Sequence, residues 1–161
     1  MYIIRRIISE SSFQVHKINS IEFAELDLVT EEEIRELVEK QNQIFIHGYS
    51  CEDLRKLKSQ GRSFSIGAKH EGEIVGNIVV VIKEDCGNPY GWIDDLFVDR
   101  QWRKQGIGKN LLNLALDKLR TLEIKESRLE VWSANKRALS VYNNVGYEFY
   151  EETESSIGMF L

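Results

Sequence analysis

The sequence predicts an α/β protein of mixed α+β type, in which helices cover both faces of a central sheet to give three layers. Segments with alternating or continuous apolar residues predict strands, and apolar stripes at a spacing of three and four residues predict helices. Neighbouring strands joined by short turns are followed by strand–helix–strand crossovers. This order predicts a sheet of mixed strand direction.

Helix starts are marked by two capping patterns, Thr30 with Glu33 and Ser50 with Asp53, and Gly61 marks a helix end. Residues 70–73 (HEGE) are predicted to form a tight hairpin turn and residues 85–91 (DCGNPYG) a loop. Residues 9–20 have an ambiguous pattern. The predicted helices cover residues 30–41, 50–61, 108–122 and 135–145, and the predicted strands cover residues 2–8, 21–28, 63–69, 73–83, 92–99, 127–132, 147–152 and 155–161.

Length and composition are those of one soluble globular domain covering residues 1–161, with 42% apolar and 29% charged residues. The net charge of -5 argues against a nucleic-acid partner, which needs a basic face.

Cys51 and Cys86 lack the spacing of a disulfide framework or zinc site, and this predicts a reducing, cytoplasmic location. No segment is apolar enough to predict a membrane span. No metal is predicted, because His16, His47 and His70 lack metal-ligand spacing.

Residues 92–112 (WIDDLFVDRQWRKQGIGKNLL) combine acid, base and glycine around the predicted start of the third helix. Glycines at such a start leave the first-turn N–H groups exposed, and the helix dipole adds positive potential, which together favour phosphate binding. Nearby cations would strengthen such a site. The three carboxylates are Asp94, Asp95 and Asp99, the two glycines are Gly106 and Gly108, and the four cations are Arg100, Arg103, Lys104 and Lys109.

Two well-known phosphate loops are excluded by spacing. A P-loop needs glycine where Arg103 stands and Ser or Thr where Asn110 stands, and a dinucleotide fingerprint needs a third glycine at Leu111. At this point two interpretations remain open. The segment is either a phosphate site or only a tight strand-to-helix turn with solvated cations.

The pattern R-x-x-G-x-G, formed by Arg103, Gly106 and Gly108, resembles the acyl-CoA-binding segment of the GNAT superfamily of N-acetyltransferases. A second block resembles that superfamily as well, and the order of predicted elements agrees with its fold. The resemblance implies a mostly antiparallel sheet of six to seven strands with about four helices. The second block consists of Val131, Asn135, Ala138, Tyr142, Gly146 and Tyr147.

The resemblance implies acetyl-CoA as the donor substrate. Its pyrophosphate would lie on the first-turn amides, with cations beside it, and its pantetheine arm would pair with an open strand edge. Asn135 is implied as a further contact to that arm, although a plain helix N-cap explains it equally well. The implied phosphate-binding residues are Arg103, Lys104, Gln105, Gly106, Ile107, Gly108 and Lys109, and the implied edge is Leu96, Phe97 and Val98.

The resemblance also implies the catalytic groups. Tyr142 would be the general acid that protonates the leaving thiolate, although its spacing also suits a packing face. Asp94 is favoured as the base, acting directly or through a water, and Asp95 is the second choice. Adjacent residues on a regular strand face opposite sides, so only one of the two would face the acceptor unless a bulge changed the alternation. Surface charge without a role is the alternative for both.

An acidic acceptor site would concentrate a cationic amine, so we expect a small-molecule amine acceptor, with the protein monomeric or homodimeric. Three alternatives remain: a protein N-acetyltransferase acting on a chain terminus or lysine, a non-catalytic acyl-CoA-binding module, and a structural domain without ligand. The sequence does not name the acceptor.

Overall fold

The computed structural model describes residues 1–8, 20–26, 31–43 and 48–152. The ambiguous residues 9–19, the predicted cap at Thr30 and the predicted last strand at 155–161 lie outside this part of the chain. Within it, the strands are β1 (Tyr2–Ile7), β2 (Ile21–Glu25), β3 (Ser63–His70), β4 (Glu73–Asp85), β5 (Asn88–Val98), β6 (Glu126–Val131) and β7 (Glu148–Glu152). The helices are α1 (Glu31–Asn42), α2 (Cys51–Ser59), α3 (Ile107–Thr121) and α4 (Lys136–Val145).

All seven strands belong to one sheet, in the order β2-β3-β4-β5-β6-β1-β7. Every neighbouring pair is antiparallel except β5 and β6, which are parallel. The prediction of a mixed, mostly antiparallel sheet with about four helices is therefore confirmed. The N-terminal segment is a full member of the sheet, because β1 lies between β6 and β7.

Helices cover both faces of the sheet, which confirms the three layers. The apolar stripe of α3 packs on one face together with α4 and the inward residues of β3 and β4. The other face carries a smaller core, in which α1 and α2 pack against the sheet. This second core is formed by Leu26, Ile34, Leu37, Leu54, Ile74 and Phe97.

The predicted loop at residues 85–91 is wrong, because most of it belongs to β5. The turn consists of Cys86 and Gly87 alone, with φ angles of 47° and 82°. Positive φ at both central residues is the geometry that joins two twisted antiparallel strands by the shortest turn. The hairpin predicted at Glu71 and Gly72 is confirmed with the same geometry, since their φ angles are 50° and 90°.

Helix boundaries differ from the prediction by one or two residues. α3 begins at Ile107 rather than Gly108, because Gly106 occupies the N-cap position with a φ of 81°. α2 begins after Ser50, whose side chain forms the predicted capping box with Asp53.

No helix among the described residues combines the length and apolar character that crossing a membrane requires.

Candidate active site

An open strand edge lies at the centre of the sheet. β5 pairs with β6 only at Gly91, Trp92 and Ile93, whereas its pairing with β4 continues to Val98. Within the described residues, β5 therefore has no strand partner on its β6 side from Asp94 onward. Backbone groups point alternately to the two sides of a strand, so some N–H and C=O groups of Leu96, Phe97 and Val98 face this open side. The edge predicted for a peptide-like ligand is thus open to another strand, although the N–H of Leu96 already donates to Asp95 and the carbonyl of Val98 already accepts from Arg103.

A β-bulge places Asp94 and Asp95 together. Val79 pairs with Asp95 and Val80 pairs with Ile93, which leaves Asp94 as an extra residue on β5. The bulge interrupts the regular alternation of side chains. Both carboxylates consequently line the same cleft. The rule that adjacent residues face opposite sides does not hold here, and the bulge is the reason.

The cleft has a volume of about 490 Å³ and lies between β5 and α2. Its charged groups are mostly acidic, with one lysine opposing three carboxylates. Gly48 forms part of its wall and passes closely over the end of α1, since a Cβ on Gly48 would lie 3.3 Å from Cβ of Gln41. The lining residues are Gly48, Tyr49, Asp53, Lys56, Leu57, Gln60, Asp94 and Asp95.

The two carboxylates differ in burial and in partners. Asp95 is 7% exposed, accepts a hydrogen bond from Nε2 of Gln41, and also accepts one from the backbone N–H of Leu96. Burial and the neighbouring charge of Asp94 raise the pKa of Asp95 to about 7, against the lowering effect of its two donors. Asp94 is exposed, accepts a hydrogen bond from Nε1 of Trp92 at 3.0 Å, and has its pKa raised by partial desolvation.

The loop between β5 and α3 ends in an uncapped helix N-terminus. Lys104 and Gly106 have positive φ angles of 64° and 81°, and no side chain caps the first turn. The N–H of Asn110 is the first to bond within the helix, to the carbonyl of Gly106. The preceding amides, including those of Ile107 and Gly108, are thus oriented for an anion. A Cβ on Gly108 would contact only Cγ2 of Val98, at 3.6 Å, so the backbone here is approachable.

The cations of this loop have different environments. Arg100, Lys104 and Lys109 are exposed, and so is Gln105. Arg103 is half-buried, and its Nε donates to the carbonyl of Val98 at 2.8 Å. This arginine therefore fastens the loop to the end of β5, and its contact with a phosphate stays a prediction.

Tyr142 lies on α4, half-buried, with its ring centroid 5.9 Å from that of Tyr147 in an edge-to-face arrangement. The hydroxyl of Tyr147 is in turn hydrogen-bonded to Oγ of Ser127 at 2.8 Å. Burial, and then the charge of Asp95, raise the pKa of Tyr142 to about 12. Tyr142 is thus neutral at physiological pH, and its hydroxyl has no hydrogen-bond partner among the described residues.

Asn135 is the N-cap of α4, since its Oδ1 accepts from the backbone N–H of Ala138 at 3.1 Å. Asn135 therefore does act as a helix N-cap, which was the alternative explanation for it, and its contact with the pantetheine arm stays a prediction. Among the described residues, no group of three or more His, Cys, Asp or Glu is arranged to hold a metal ion. His16 and His47 lie outside those residues.

Two residues of this region were missed by the sequence interpretation. Gln41, at the end of α1, is fully buried and bonds Asp95, and its neighbour Lys40 forms an ion pair with Asp99 at 2.8 Å. No motif includes either residue. The available signal was that Gln41, a polar residue, continues the apolar stripe of Ile34 and Leu37.

We expect ionised Asp95 to cost stability. Its pKa rises from an ordinary 3.8 to about 7 on folding, because the folded protein favours the protonated carboxyl. The stability of the fold with respect to this group is therefore greatest below pH 3.8 and decreases as pH rises through about 7. Asp95→Asn cannot ionise. The variant should gain stability relative to wild type between pH 5 and pH 8, by at most about 4 kcal/mol. Urea unfolding at several pH values measures this difference.

The matched control is Asp94→Asn, which removes an exposed carboxylate one residue away. Its stability relative to wild type should vary less with pH. A constant difference between Asp95→Asn and wild type across the pH range would show that Asp95 has an ordinary pKa.

The fold is shared with solved acetyltransferase structures. The aminoglycoside acetyltransferase meta-AAC0020 from an uncultured soil metagenomic sample is similar with a TM-score of 0.71 at 23% identity, over 84% of this chain and 98% of that chain. Glucosamine-6-phosphate N-acetyltransferase from Arabidopsis thaliana is similar with a TM-score of 0.70 at 18% identity, over 85% and 97% of the two chains. At these identities the likeness shows the fold alone.

Two curated relatives are similar in sequence. The spermine/spermidine N(1)-acetyltransferase of Bacillus subtilis (strain 168) is 28% identical over 94 residues, which are 55% of this chain and 62% of the relative. The N-alpha-acetyltransferase 30 of Dictyostelium discoideum is 27% identical over 131 residues, which are 81% of this chain and 70% of the relative. The chain thus spans less than two thirds of the length of the bacterial polyamine enzyme.

A family profile matches most of the chain. The profile of the acetyltransferase (GNAT) family covers residues 31–147, from the start of α1 to the residue before β7. The match includes the open edge of β5, the loop before α3, and Tyr142. This chain therefore belongs to the acetyltransferase (GNAT) family.

Proposed function

We propose that this protein transfers an acetyl group from acetyl-CoA directly to the primary amine of a small, cationic acceptor. The observation that carries this proposal is the bulge in β5, which presents Asp94 and Asp95 to one cleft beside the open strand edge. A base, a cation-binding group and an edge for the donor are thereby adjacent. Family membership supplies the reaction class.

The residues present suit the donor. The GNAT family uses acetyl-CoA, whose thioester supplies an activated acyl group. The uncapped amides at the start of α3, with Lys104 and Lys109, suit a pyrophosphate, because they offer N–H donors and positive charge together. The edge of β5 from Leu96 to Val98 suits the amide groups of the pantetheine arm.

Asp95 is proposed as the general base. An alkylammonium has a pKa of about 10.4, so a proton must leave the amine before it attacks. A carboxylate with a pKa of about 7 is half ionised near neutral pH, where a base of that strength is efficient. The choice of Asp94 made from the sequence stays a prediction, but burial and the bond from Gln41 favour Asp95. Asp94, exposed and one residue away, is proposed to hold the cationic acceptor.

Tyr142 is proposed as the general acid. With a pKa of about 12 it keeps its proton at all physiological pH values and has that proton to give to the leaving thiolate. Its unpartnered hydroxyl and the influence of Asp95 on its pKa support a position beside the reacting groups. Asn135 is proposed as a contact to the pantetheine arm in addition to its capping role.

The acceptor class follows from charge. The cleft holds Asp53, Asp94 and Asp95 against the single Lys56, so it favours a cation. The name of the Bacillus subtilis relative specifies polyamines, and that of the soil-derived structure specifies aminoglycosides, which are also polycationic amines. A cytoplasmic location, with the protein monomeric or homodimeric, stays part of the proposal. Two free cysteines, Cys51 and Cys86, are consistent with a reducing compartment.

A protein N-terminal acetyltransferase is the second candidate. It is favoured by the match to N-alpha-acetyltransferase 30, which covers 81% of this chain, more than the polyamine relative covers. A non-catalytic acyl-CoA-binding module is the third. Turnover separates the third candidate from the others, and acceptor preference separates the first two.

We expect acetyl-CoA to stabilise the fold and Gly108→Asp to remove that effect. Saturating ligand, at about one hundred times Kd, should add about 2.7 kcal/mol of stability, seen as a rise in Tm. A carboxylate at Gly108 would repel the phosphates at the helix N-terminus. Gly108→Ala is the matched control, because its methyl meets only Val98 and carries no charge. If Gly108→Asp folds and keeps the full shift, the phosphates bind elsewhere.

We expect small polycationic amines to be the best acceptors in a panel. The panel should contain polyamines, aminoglycosides, peptides with free N-termini, and neutral or anionic amines, with release of CoA thiol as the readout. Asp94→Asn should lower kcat/KM for the polycations by about two- to fivefold, since it removes one exposed charge contact. Preference for an uncharged or acidic peptide would contradict the electrostatic argument and favour the second candidate.

We expect Tyr142→Phe to lower kcat by about 10² to 10⁴ with little change in KM for acetyl-CoA. The ring and its contact with Tyr147 are kept, and only the proton donor is lost. Tyr150→Phe, at an exposed tyrosine on β7, is the control and should leave kcat unchanged. Wild-type turnover by Tyr142→Phe, in an assay limited by chemistry, would assign Tyr142 to packing alone.

A further inference from the structure

Gln41 is a buried amide directly behind the cleft. It is 0% exposed, ends the apolar stripe of α1, and lies under Gly48 of the cleft wall. Its Nε2 donates to Oδ2 of Asp95. Its Oε1 is equally buried and has no hydrogen-bond partner among the described residues.

An unsatisfied buried acceptor is unfavourable, and Asp95, which is already hydrogen-bonded to the same amide, would offer it a donor once protonated. The carboxylate of Asp95 is acceptor-only while ionised, but gains an O–H donor when it takes up a proton. The amide of Gln41 offers one donor and one acceptor. It therefore has a matching group for each protonation state of Asp95.

We propose that Gln41 is the positioning residue of Asp95: Nε2 donates to the carboxylate before proton transfer, and Oε1 accepts from the Asp95 hydroxyl after it. This inference rests on the proposed function for the identity of the proton donor. The N–H bond of the acceptor amine breaks, its electron pair stays on nitrogen for attack on the acyl carbon, and the O–H bond of Asp95 forms. The proton later leaves through the cleft to solvent.

The charged groups around Asp95 fix the sign of the effect. Asp94 on β5 raises the pKa of Asp95, and Asp53 and Lys56 of α2 line the same cleft. Tyr142 on α4 is neutral. The donors that lower the pKa of Asp95 are the side chain of Gln41 and the backbone N–H of Leu96.

Loss of the Gln41 amide should therefore raise the pKa of Asp95. A hydrogen bond to an ionised carboxylate is stronger than one from its neutral form, so the ionised state loses more. Gln41→Met keeps length and apolar volume but removes both hydrogen-bonding groups. Gln41→Leu also removes both hydrogen-bonding groups and keeps a buried apolar side chain of similar volume.

The test is a carboxyl-carbon NMR titration of the free protein labelled in aspartate, with the Asp95 signal assigned from Asp95→Asn. Wild type should titrate near pH 7. Gln41→Met should titrate about one to two pH units higher, and Gln41→Leu should shift in the same direction by a similar amount. Gln43→Met, the same change at an exposed glutamine two residues away, should match wild type. If Gln41→Met does not fold, Gln41→Leu carries the same test.

Kinetics with the best amine of the panel provide the second readout. In Gln41→Met the fall of kcat/KM on the acid side should move to higher pH by the same amount as the NMR titration midpoint of Asp95. The Tm shift with acetyl-CoA should stay that of wild type. Unchanged titration of Asp95 in both folded variants would overturn the proposal. A shifted titration in a protein that turns over no amine would confirm the contact and overturn its part in catalysis.

Discussion

One extra residue in β5 determines which side chains line the cleft of this molecule. The bulge at Asp94 interrupts strand alternation and presents two successive carboxylates to one cleft. Two like charges so close to each other disfavour joint ionisation, and the buried member, Asp95, takes the raised pKa. Without the bulge one carboxylate would point into the opposite face of the sheet. The site would then lack either the proposed base or the proposed cation contact.

The end of α1 fastens β5 on both sides of its open edge. Gln41 donates a hydrogen bond to Asp95, which precedes Leu96–Val98 in the chain, and Lys40 forms an ion pair with Asp99, which follows them. Arg103 adds a third contact, to the carbonyl of Val98. Three contacts therefore hold the stretch of β5 that has no strand partner on its β6 side. They add to the pairing with β4, which continues through this stretch to Val98.

Local patterns predicted most elements because each depends on a few neighbouring residues. The apolar stripe of α3 and the turn at Gly72 are examples, and the acidic pair in β5 was recognised as a candidate site. The place of β1 between β6 and β7 was not predictable in this way, because pairing between distant strands leaves no local signal. The turn at Cys86 was missed because the surrounding Gly, Asn and Pro residues resemble a longer loop. Gln41 belongs to no motif; its place in the apolar stripe of α1 predicted burial, but its contact with Asp95 is visible only in the structure.

The central claim is that Asp95 removes the proton of the acceptor amine, and the pH dependence of kcat/KM tests it most directly. With the best amine, wild type should lose activity below about pH 7. Asp95→Asn should no longer show this fall in activity below about pH 7. Its activity should be lower than that of wild type and should recover as pH approaches the amine pKa of about 10. Asp94→Asn should still show the fall, but at lower pH, because a like charge beside Asp95 is gone. Superimposable profiles for wild type and Asp95→Asn would contradict the claim.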